Sequence, residues 1–424
     1  MRLKKNSKPL LLIMLSACIT LFGCKKQNTH SATPLSYSWW GNASRHEYTL
    51  QALELFKSMH PNITVTPEYA AWNGYEEQFD AKFKSGGSAD VMQINFDWLF
   101  KYSPDGSAFY DLNELQDELE FYNFTLSDLE YGAVNGKQNA IPVAFNSLIP
   151  VFDRSVFEEN RLSIPKTWDD LFDCARILKG KDYYLMGTGA KHSFLLCTAW
   201  FEQTHSKKIF SDNSTLAASQ SELEELFAFY KRLITERVLY PDTGAFSQQL
   251  LLKKRIASAV IWCNEADQFA DIFTQKGHTA ALGDFITTKG ATESGWYQKP
   301  VMLYAINKNT AHPKEAAALL NFLLNDQQNA RLQKCDKGVP ASNKSLSALI
   351  EHDELNEFVY TSLMKIRFKS EKLSAMLPIM EHKDVIAAFT KNAAACANGT
   401  KSAQEAAKDF KAAIEALTQG TRTL

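Results

Sequence analysis

Three short segments of the sequence combine aromatic rings with polar side chains and glycine. They are Trp39-Trp40-Gly41-Asn42, Trp72-Asn73-Gly74-Tyr75 and Asn95-Phe96-Asp97-Trp98. Core tryptophans are expected inside regular elements, between other apolar residues, whereas these stand beside Gly and Asn. Exposed rings offer flat apolar surfaces, and amide and carboxylate groups beside them offer hydrogen bonds. The segments therefore indicate a binding site, with packing at the edge of a core as the alternative.

Each aromatic segment follows a predicted strand. Strands at 35–40, 63–66 and 89–94 alternate with predicted helices at 47–60 and 76–83. This alternation predicts a parallel sheet, and such sheets bind ligands at the carboxyl ends of their strands. The three segments should therefore lie along one edge.

The remaining chain predicts a second lobe of strands and helices. Strands are expected at 140–145, 149–153, 257–262 and 301–307, and helices at 164–178, 223–239, 246–254, 313–324 and through most of 371–417. The second lobe should begin with the first of these strands and the helix at 164–178.

The composition of the first residues predicts a secretory signal. Residues 1–9 are polar and basic, and 10–23 are apolar but shorter than the about 17 to 25 residues of a membrane-spanning helix. The segment Leu21-Phe22-Gly23-Cys24 is similar to a bacterial lipobox, which predicts lipidation of Cys24 and a polar tether at 24–34. Cys18 is the second candidate for lipidation, and cleavage without lipidation is the alternative.

Charge and cysteine content exclude several classes of function. The chain has 46 basic and 48 acidic residues, and without the four basic residues that precede Cys24 the balance is 42 to 48. Nucleic acid is therefore not an expected partner. Outside Cys18 and Cys24 the cysteines are widely spaced, so neither a disulfide framework nor a metal site is expected, and no cofactor is predicted. These cysteines are Cys174, Cys197, Cys263, Cys335 and Cys396.

The order of several segments resembles the solute-binding lipoproteins of bacterial carbohydrate ABC importers, of the maltodextrin-binding type. Pro165-Lys166-Thr167-Trp168-Asp169-Asp170-Leu171 is the most specific match, close to the Pro-Lys-Thr-Trp-Glu-Glu-Leu signature of that family. The other matching segments are 39–41, 61–65, 87–92, 109–112, 136–142, 305–310 and 338–341. The segment Phe152-Asp153-Arg154 departs from the usual Tyr-Asn-Lys. The resemblance covers nearly the whole mature chain.

This resemblance implies a type II periplasmic-binding-protein fold, with two α/β lobes, a ligand cleft between them and crossovers near Ile141, Asp284 and Pro340. The N-terminal lobe would comprise 35–141 and 286–339, and the C-terminal lobe 142–285 and 340–424, after a signal at 1–23. It also implies an extracytoplasmic, lipid-anchored monomer that binds an oligosaccharide and delivers it to membrane permease subunits of the importer.

A sugar presents apolar C–H faces and a rim of hydroxyls, so its site needs aromatic rings and planar hydrogen-bonding groups. The candidate ligand contacts are Trp39, Trp40, Asn42, Arg45, His46, Trp72, Tyr75, Asn95, Trp98, Asn146, Lys191, His192, Trp262, Asn264, Trp296 and Tyr297. With Lys299, the basic members of this set raise the possibility of an acidic, uronate-containing sugar. The alternative is that these cations are ordinary surface groups.

Enzyme motifs are incomplete. His46-Glu47 begins an HExxH zinc-protease motif, but Leu50 stands where the second His must be, and Gly187–Ser193 lacks the spacing of a phosphate loop. A surface glycoside hydrolase or lyase remains the leading alternative, because Asp97 and Glu265 could serve as acid and base. An adhesin is the third class.

Overall fold

The computed structural model describes residues 32–241, 248–253, 255–352, 357–368 and 373–421. The predicted signal, Cys18, Cys24 and most of the tether lie outside these residues. Within the described part of the chain, no helix combines the length and apolarity needed to cross a membrane.

The strands are β1 (Thr33–Trp40), β2 (Ile63–Ala70), β3 (Val91–Ile94), β4 (Ala133–Val134), β5 (Lys137–Gln138), β6 (Ile141–Asp153), β7 (Phe210–Asp212), β8 (Thr215–Leu216), β9 (Ser258–Trp262), β10 (Ala280–Leu282), β11 (Tyr297–Ile306), β12 (Val339–Pro340) and β13 (Ser374–Ala375). The main sheet has the order β10-β6-β11-β3-β1-β2, and β9, β12 and β13 pair beside this path. Strand β1 is parallel to β2 and β3, as the sequence predicts, whereas β11 is antiparallel to both β3 and β6.

The α-helices are α1 (Ala43–Met59), α2 (Tyr75–Ser85), α3 (Phe96–Tyr102), α4 (Leu126–Leu129), α5 (Arg154–Glu159), α6 (Trp168–Lys179), α7 (Ala190–His205), α8 (Gln220–Thr235), α9 (Gln248–Lys253), α10 (Ala266–Gln275), α11 (Pro313–Asn325), α12 (Gln327–Gln333), α13 (Asn343–Glu351), α14 (Glu357–Phe368), α15 (Lys383–Ala397) and α16 (Ala403–Thr421). Two short 3-10 helices, Cys263–Glu265 and Pro378–Glu381, lie next to the site described below.

The Pro-Lys-Thr-Trp signature starts α6. The Thr167 hydroxyl accepts from the backbone of Asp170, and the Asp170 carboxylate accepts from Thr167 N, which is a capping box. The buried Trp168 ring donates from Nε1 to Gln203 Oε1 at 2.8 Å. The signature therefore fixes the start of a helix and its packing in the core.

The apolar side chains form two separate cores. One contains residues from 35–145 and 302–324 together with Ala341, and the other contains residues from 148–286 and 346–414 together with Trp296, Tyr297 and Val339. The chain passes between the cores within β6, within β11 and near β12. The lobe boundaries and crossovers of the sequence analysis stay predictions, and this arrangement supports a second crossover inside β11 rather than near Asp284.

Strand β6 is continuous, although two strands were predicted. Asn146 and Ser147 interrupt the apolar pattern, but both are buried in the strand and hydrogen-bonded. A buried polar group with partners does not end a strand, which explains the difference.

The five cysteines that the structure describes are free. Cys174, Cys197, Cys263 and Cys396 are buried, and Cys335 is partly exposed.

Substitution of Phe389 tests the packing of the hydrophobic core in the second lobe. Its ring is buried and lies 5.2 Å from Phe194 and 5.7 Å from Phe227, measured between centroids. Replacing it by alanine should lower the free energy of unfolding by about 3 to 5 kcal/mol, because the cavity cannot be refilled. Chemical denaturation measures this loss. The exposed Tyr122→Ala is the control, and a Phe389→Ala protein as stable as this control would contradict the packing described.

Candidate ligand-binding site

A first aromatic group lies where β1 and β2 end. The Trp40 ring centroid is 5.1 Å from Trp72 and 5.5 Å from both Tyr75 and Trp98. Trp72 is 45% exposed, whereas Trp40 and Tyr75 are almost fully buried and Trp98 is fully buried. Of these four predicted contacts, Trp72 is the ring available to a ligand. Trp98 packs inside the first core, which corrects the expectation that it contacts ligand directly.

A second group joins β1, β2 and α1. The buried Trp39 ring stacks on Tyr69 at 4.8 Å and donates from Nε1 to His46 Nδ1 at 3.1 Å. His46 also packs against Tyr69, and burial followed by the charge of Arg45 lowers the pKa of His46. Tyr69 is 45% exposed and is therefore the accessible ring of this group. Trp39 supports Tyr69 from inside the core.

The side chains of Asn42 and Arg45 are engaged in a helix cap and an ion pair within the protein. The Asn42 side chain caps α1 by accepting from Arg45 N at 2.8 Å. Arg45 Nε lies 2.8 Å from Asp336 Oδ2, which also accepts from Tyr48 Oη at 2.9 Å. The neighbouring Lys337 is buried and donates to Tyr304 Oη at 2.7 Å. These contacts hold the segment before β12 against the first core.

The second lobe contributes an aromatic ring covered by cations. Trp262 ends β9 and is partly exposed. Its ring lies 5.8 Å from Lys191 Nζ and 5.2 Å from Lys299 Nζ, and the His192 ring meets it edge-on at 5.4 Å. The backbone oxygen of Val260 lies 3.0 Å from His192 Nδ1, and burial lowers the pKa of His192 to about 4. His192 is therefore neutral at pH 7, and the two lysines supply the positive charge.

Glu381 binds both lysines. Its Oε1 lies 2.7 Å from Lys191 Nζ, and both of its carboxylate oxygens lie 2.7 Å from Lys299 Nζ. Burial raises the pKa of Glu381, but the charges of Lys299 and Lys191 outweigh it and lower that pKa to about 2. Burial also lowers the pKa of Lys299, against the opposite effect of Glu381. We assign both as ionised, because an ionised carboxylate at 2.7 Å holds the proton on the amine.

Asp97 faces this cluster from the first lobe. Its helix, α3, packs against Pro378–Glu381. Burial raises the pKa of Asp97, and so do the negative charges of Glu381 and Glu76, while Lys299 acts in the opposite direction. The buried Asp97 Oδ1 has no hydrogen-bond partner among the described residues. Asp97 Oδ1 is therefore a buried acceptor close to where the two lobes meet.

Asn146 and Asn264 lie together beneath Trp262. Asn146 Nδ2 donates to Asn264 Oδ1 at 2.7 Å, and Asn146 Oδ1 accepts from Ser147 N and from Cys263 Sγ. Asn146 is buried, while Asn264 is partly exposed. Asn146 therefore orients Asn264, which is the amide accessible from the cleft. Asn95 is partly exposed at the start of α3 and makes no capping bond with its side chain.

Trp296 and Tyr297 pack in the second hydrophobic core. Trp296 is buried in the second core and donates from Nε1 to the backbone oxygen of Ile286 at 2.8 Å, and Tyr297 Oη donates to buried Glu202. The adjacent Gly295 has φ +67° and packs on Ala199 so closely that a Cβ would lie 2.4 Å from its carbonyl oxygen. The glycine therefore allows close packing. The burial of Trp296 and Tyr297 in the second core does not support their predicted contact with ligand.

Asp97 and Glu265, the two carboxylates considered as a catalytic acid and base, interact with different groups. Glu265 Oε2 accepts from Trp262 N at 3.2 Å within its own 3-10 turn, and burial raises the pKa of Glu265. Asp97 is influenced by Glu381, Glu76 and Lys299. No group of three or more possible metal ligands is found in the part of the chain that the structure describes.

Sequence reasoning missed Glu381 as part of the site and left Tyr69 outside the candidate contacts. Glu381 follows Pro378-Ile379-Met380, a segment with no aromatic or glycine signal. It is 82 residues from Lys299 and 190 from Lys191 along the chain. Its role is visible only when the fold brings these segments together.

Comparison with known proteins places this chain in a family. Residues 51–357 match the family model described as bacterial extracellular solute-binding protein. A periplasmic solute-binding protein from Pectobacterium atrosepticum has a similar structure, with a TM-score of 0.83, 28% identity, and coverage of 91% of this chain and 99% of that one.

Two further solved structures are similar. A periplasmic oligogalacturonide-binding protein from Yersinia enterocolitica gives a TM-score of 0.80 and 28% identity over 91% of this chain and 99% of that one. A de novo designed cysteine esterase gives a TM-score of 0.85 and 28% identity over 93% of this chain and 100% of that one. These similarities confirm the predicted α/β fold of two lobes, and the match over 51–357 shows that the chain belongs to the bacterial extracellular solute-binding proteins.

Proposed function

We propose that this protein captures an oligosaccharide outside the cytoplasm and delivers it to the permease subunits of an ABC importer. The observation that supports this most directly is the partly exposed Trp262 ring with the ammonium groups of Lys191 and Lys299 above it. The ring can carry the apolar face of a sugar, and the lysines can bind polar substituents on its rim. Trp72 and Tyr69 supply exposed rings on the opposite lobe.

The preferred ligand is an acidic oligosaccharide that contains uronic acid. Within the group of Lys191, Lys299 and Glu381 the two ammonium charges exceed the single carboxylate charge by one, and Asp97 faces this group from the other lobe. A carboxylate on the ligand can pair with Lys191, the more exposed of the two lysines. The similarity to an oligogalacturonide-binding protein, at 28% identity over nearly the whole of both chains, supports the same class of ligand.

Delivery follows from closure of the two lobes over the ligand, which presents a defined surface to the permease. We propose that the protein acts as a monomer and that a lipid on Cys24 tethers it to the membrane. Catalysis is not part of the proposal, because the matched family consists of solute-binding proteins and Glu265 is bound to its own turn.

Digalacturonic acid should stabilise the protein lacking residues 1–24 against heat. A ligand that binds only the folded state adds about 2.7 kcal/mol at about 100 times its dissociation constant. The melting temperature, followed by fluorescence, should rise with digalacturonic acid and less with the neutral α-1,4-linked galactose disaccharide, which has the same ring stereochemistry. Equal shifts would contradict the acidic preference. Hydrolysis or elimination of either sugar, without a shift, would favour an enzyme.

The exposed tryptophans should contribute to affinity without supporting the fold. Trp72→Ala and Trp262→Ala each remove a stacking surface, so each should weaken binding of digalacturonic acid by about 1 to 2 kcal/mol, or about tenfold. Isothermal titration calorimetry measures the affinity, and circular dichroism checks the fold. Tyr122→Ala removes an aromatic ring that is 79% exposed, compared with 45% for Trp72, and serves as the control. If both tryptophan variants bind as well as the control, the site is misplaced.

A further inference from the structure

The two lysines of the cleft differ in how firmly they are held. The side chain of Lys299 is 11% exposed and contacts both oxygens of Glu381. The side chain of Lys191 is 33% exposed and contacts only Oε1. Glu381 itself is 5% exposed. Lys299 is therefore fixed by Glu381, whereas Lys191 is accessible to solvent.

The difference in burial decides which contact can be exchanged. A buried charge that loses its partner carries a large desolvation cost, so Lys299 and Glu381 must stay together. Lys191 is the first-turn residue of α7 and has a long flexible side chain that reaches solvent. It can therefore leave Glu381 at small cost, provided that another anion replaces it.

We propose that Lys191 exchanges Glu381 for a carboxylate of the bound sugar, while Lys299 keeps Glu381. Glu381 is thus an internal competitor that sets the preference of the cleft for acidic over neutral ligands. A neutral hydroxyl does not replace the ion pair that Lys191 gives up, whereas a carboxylate does. This inference deepens the proposed function and rests on it.

Asp97 supplies a complementary contact from the other lobe. Its buried Oδ1 lacks a hydrogen-bond partner among the described residues, and α3 places it against Pro378–Glu381. A uronic acid carries its carboxyl group and its hydroxyls on one ring. One ring can therefore present a carboxylate to Lys191 and donate a hydroxyl to Asp97, which requires that the lobes be close together.

Two variants distinguish the exchange of anions at Lys191 from a general electrostatic attraction between the cleft and an acidic sugar. Lys191→Met keeps the length of the side chain and removes its charge. It should lower the affinity for digalacturonic acid at least about tenfold and the affinity for the neutral α-1,4-linked galactose disaccharide by much less. Glu381→Gln keeps the shape and removes the competitor. It should raise the affinity for digalacturonic acid and make it fall more steeply with salt, because Lys191 no longer pairs with an internal carboxylate.

The ion pair between Lys314 and Glu118, 3.1 Å apart on the first lobe, gives matched controls. Lys314→Met and Glu118→Gln should change neither affinity nor its dependence on salt. All variants are titrated by calorimetry in the protein lacking residues 1–24, and their melting temperatures are measured. Lys191→Gln, which retains a polar end, should reproduce Lys191→Met and guards against a folding defect in the latter.

The results distinguish the exchange from the proposed function. Wild-type protein that binds digalacturonic acid, with Lys191→Met equally tight or Glu381→Gln weaker, would overturn the exchange and leave the proposed function intact. Weaker binding by Glu381→Gln would assign Glu381 to positioning of the lysines instead. Wild-type protein that binds neither disaccharide would overturn the proposed ligand class, and the exchange with it.

Discussion

Strand β6 belongs to both hydrophobic cores, and the site depends on this continuity. All 13 of its residues are buried, and it pairs with β11 and β12 in its first half and with β9 and β10 in its second. Asn146 lies at the change of partners, opposite Lys299 on β11. Because both strands pass between the lobes, the proposed closure should leave Asn146 and Lys299 in place. It should change the separation between Asp97 and Lys191, which lie on helices of different lobes.

The charged cluster is costly for the fold, and the proposed binding of an acidic sugar gives a reason for keeping it. Buried ion pairs often stabilise less than apolar side chains of equal volume, because desolvation offsets their attraction. Lys299 shows this cost, since burial lowers its pKa despite two contacts with Glu381. An apolar lining would make this part of the protein more stable but unable to recognise a charged sugar. Strongly shifted groups in a cleft are typical of functional sites.

Sequence could predict the fold and part of the site. The alternation of strand and helix predicted the parallel strands, and the resemblance carried by the order of the segments implied the two lobes. Trp72 and Trp262 are accessible rings, and their contact with ligand stays a prediction. Flanking Gly and Asn could not show which face of an element is buried, so Trp98 was misplaced. The glycine beside Trp296 permits close packing on Ala199 instead of forming an open loop. Glu381 could not be found, because its partners are distant in the chain and only the tertiary fold joins them.

Closure and charge are linked through the carboxyl groups of Asp97 and Glu381. Contact between α3 and Pro378–Glu381 places two acidic groups near each other, and like charges oppose this approach unless cations balance them. When Lys191 turns to a ligand, Glu381 keeps one cation instead of two, so the charge opposite Asp97 becomes more negative. A hydroxyl donated by the sugar to Asp97 offsets this change. The closed arrangement is therefore most favourable with a ligand that carries both a carboxylate and a nearby hydroxyl, and charge recognition and lobe closure depend on the same few groups.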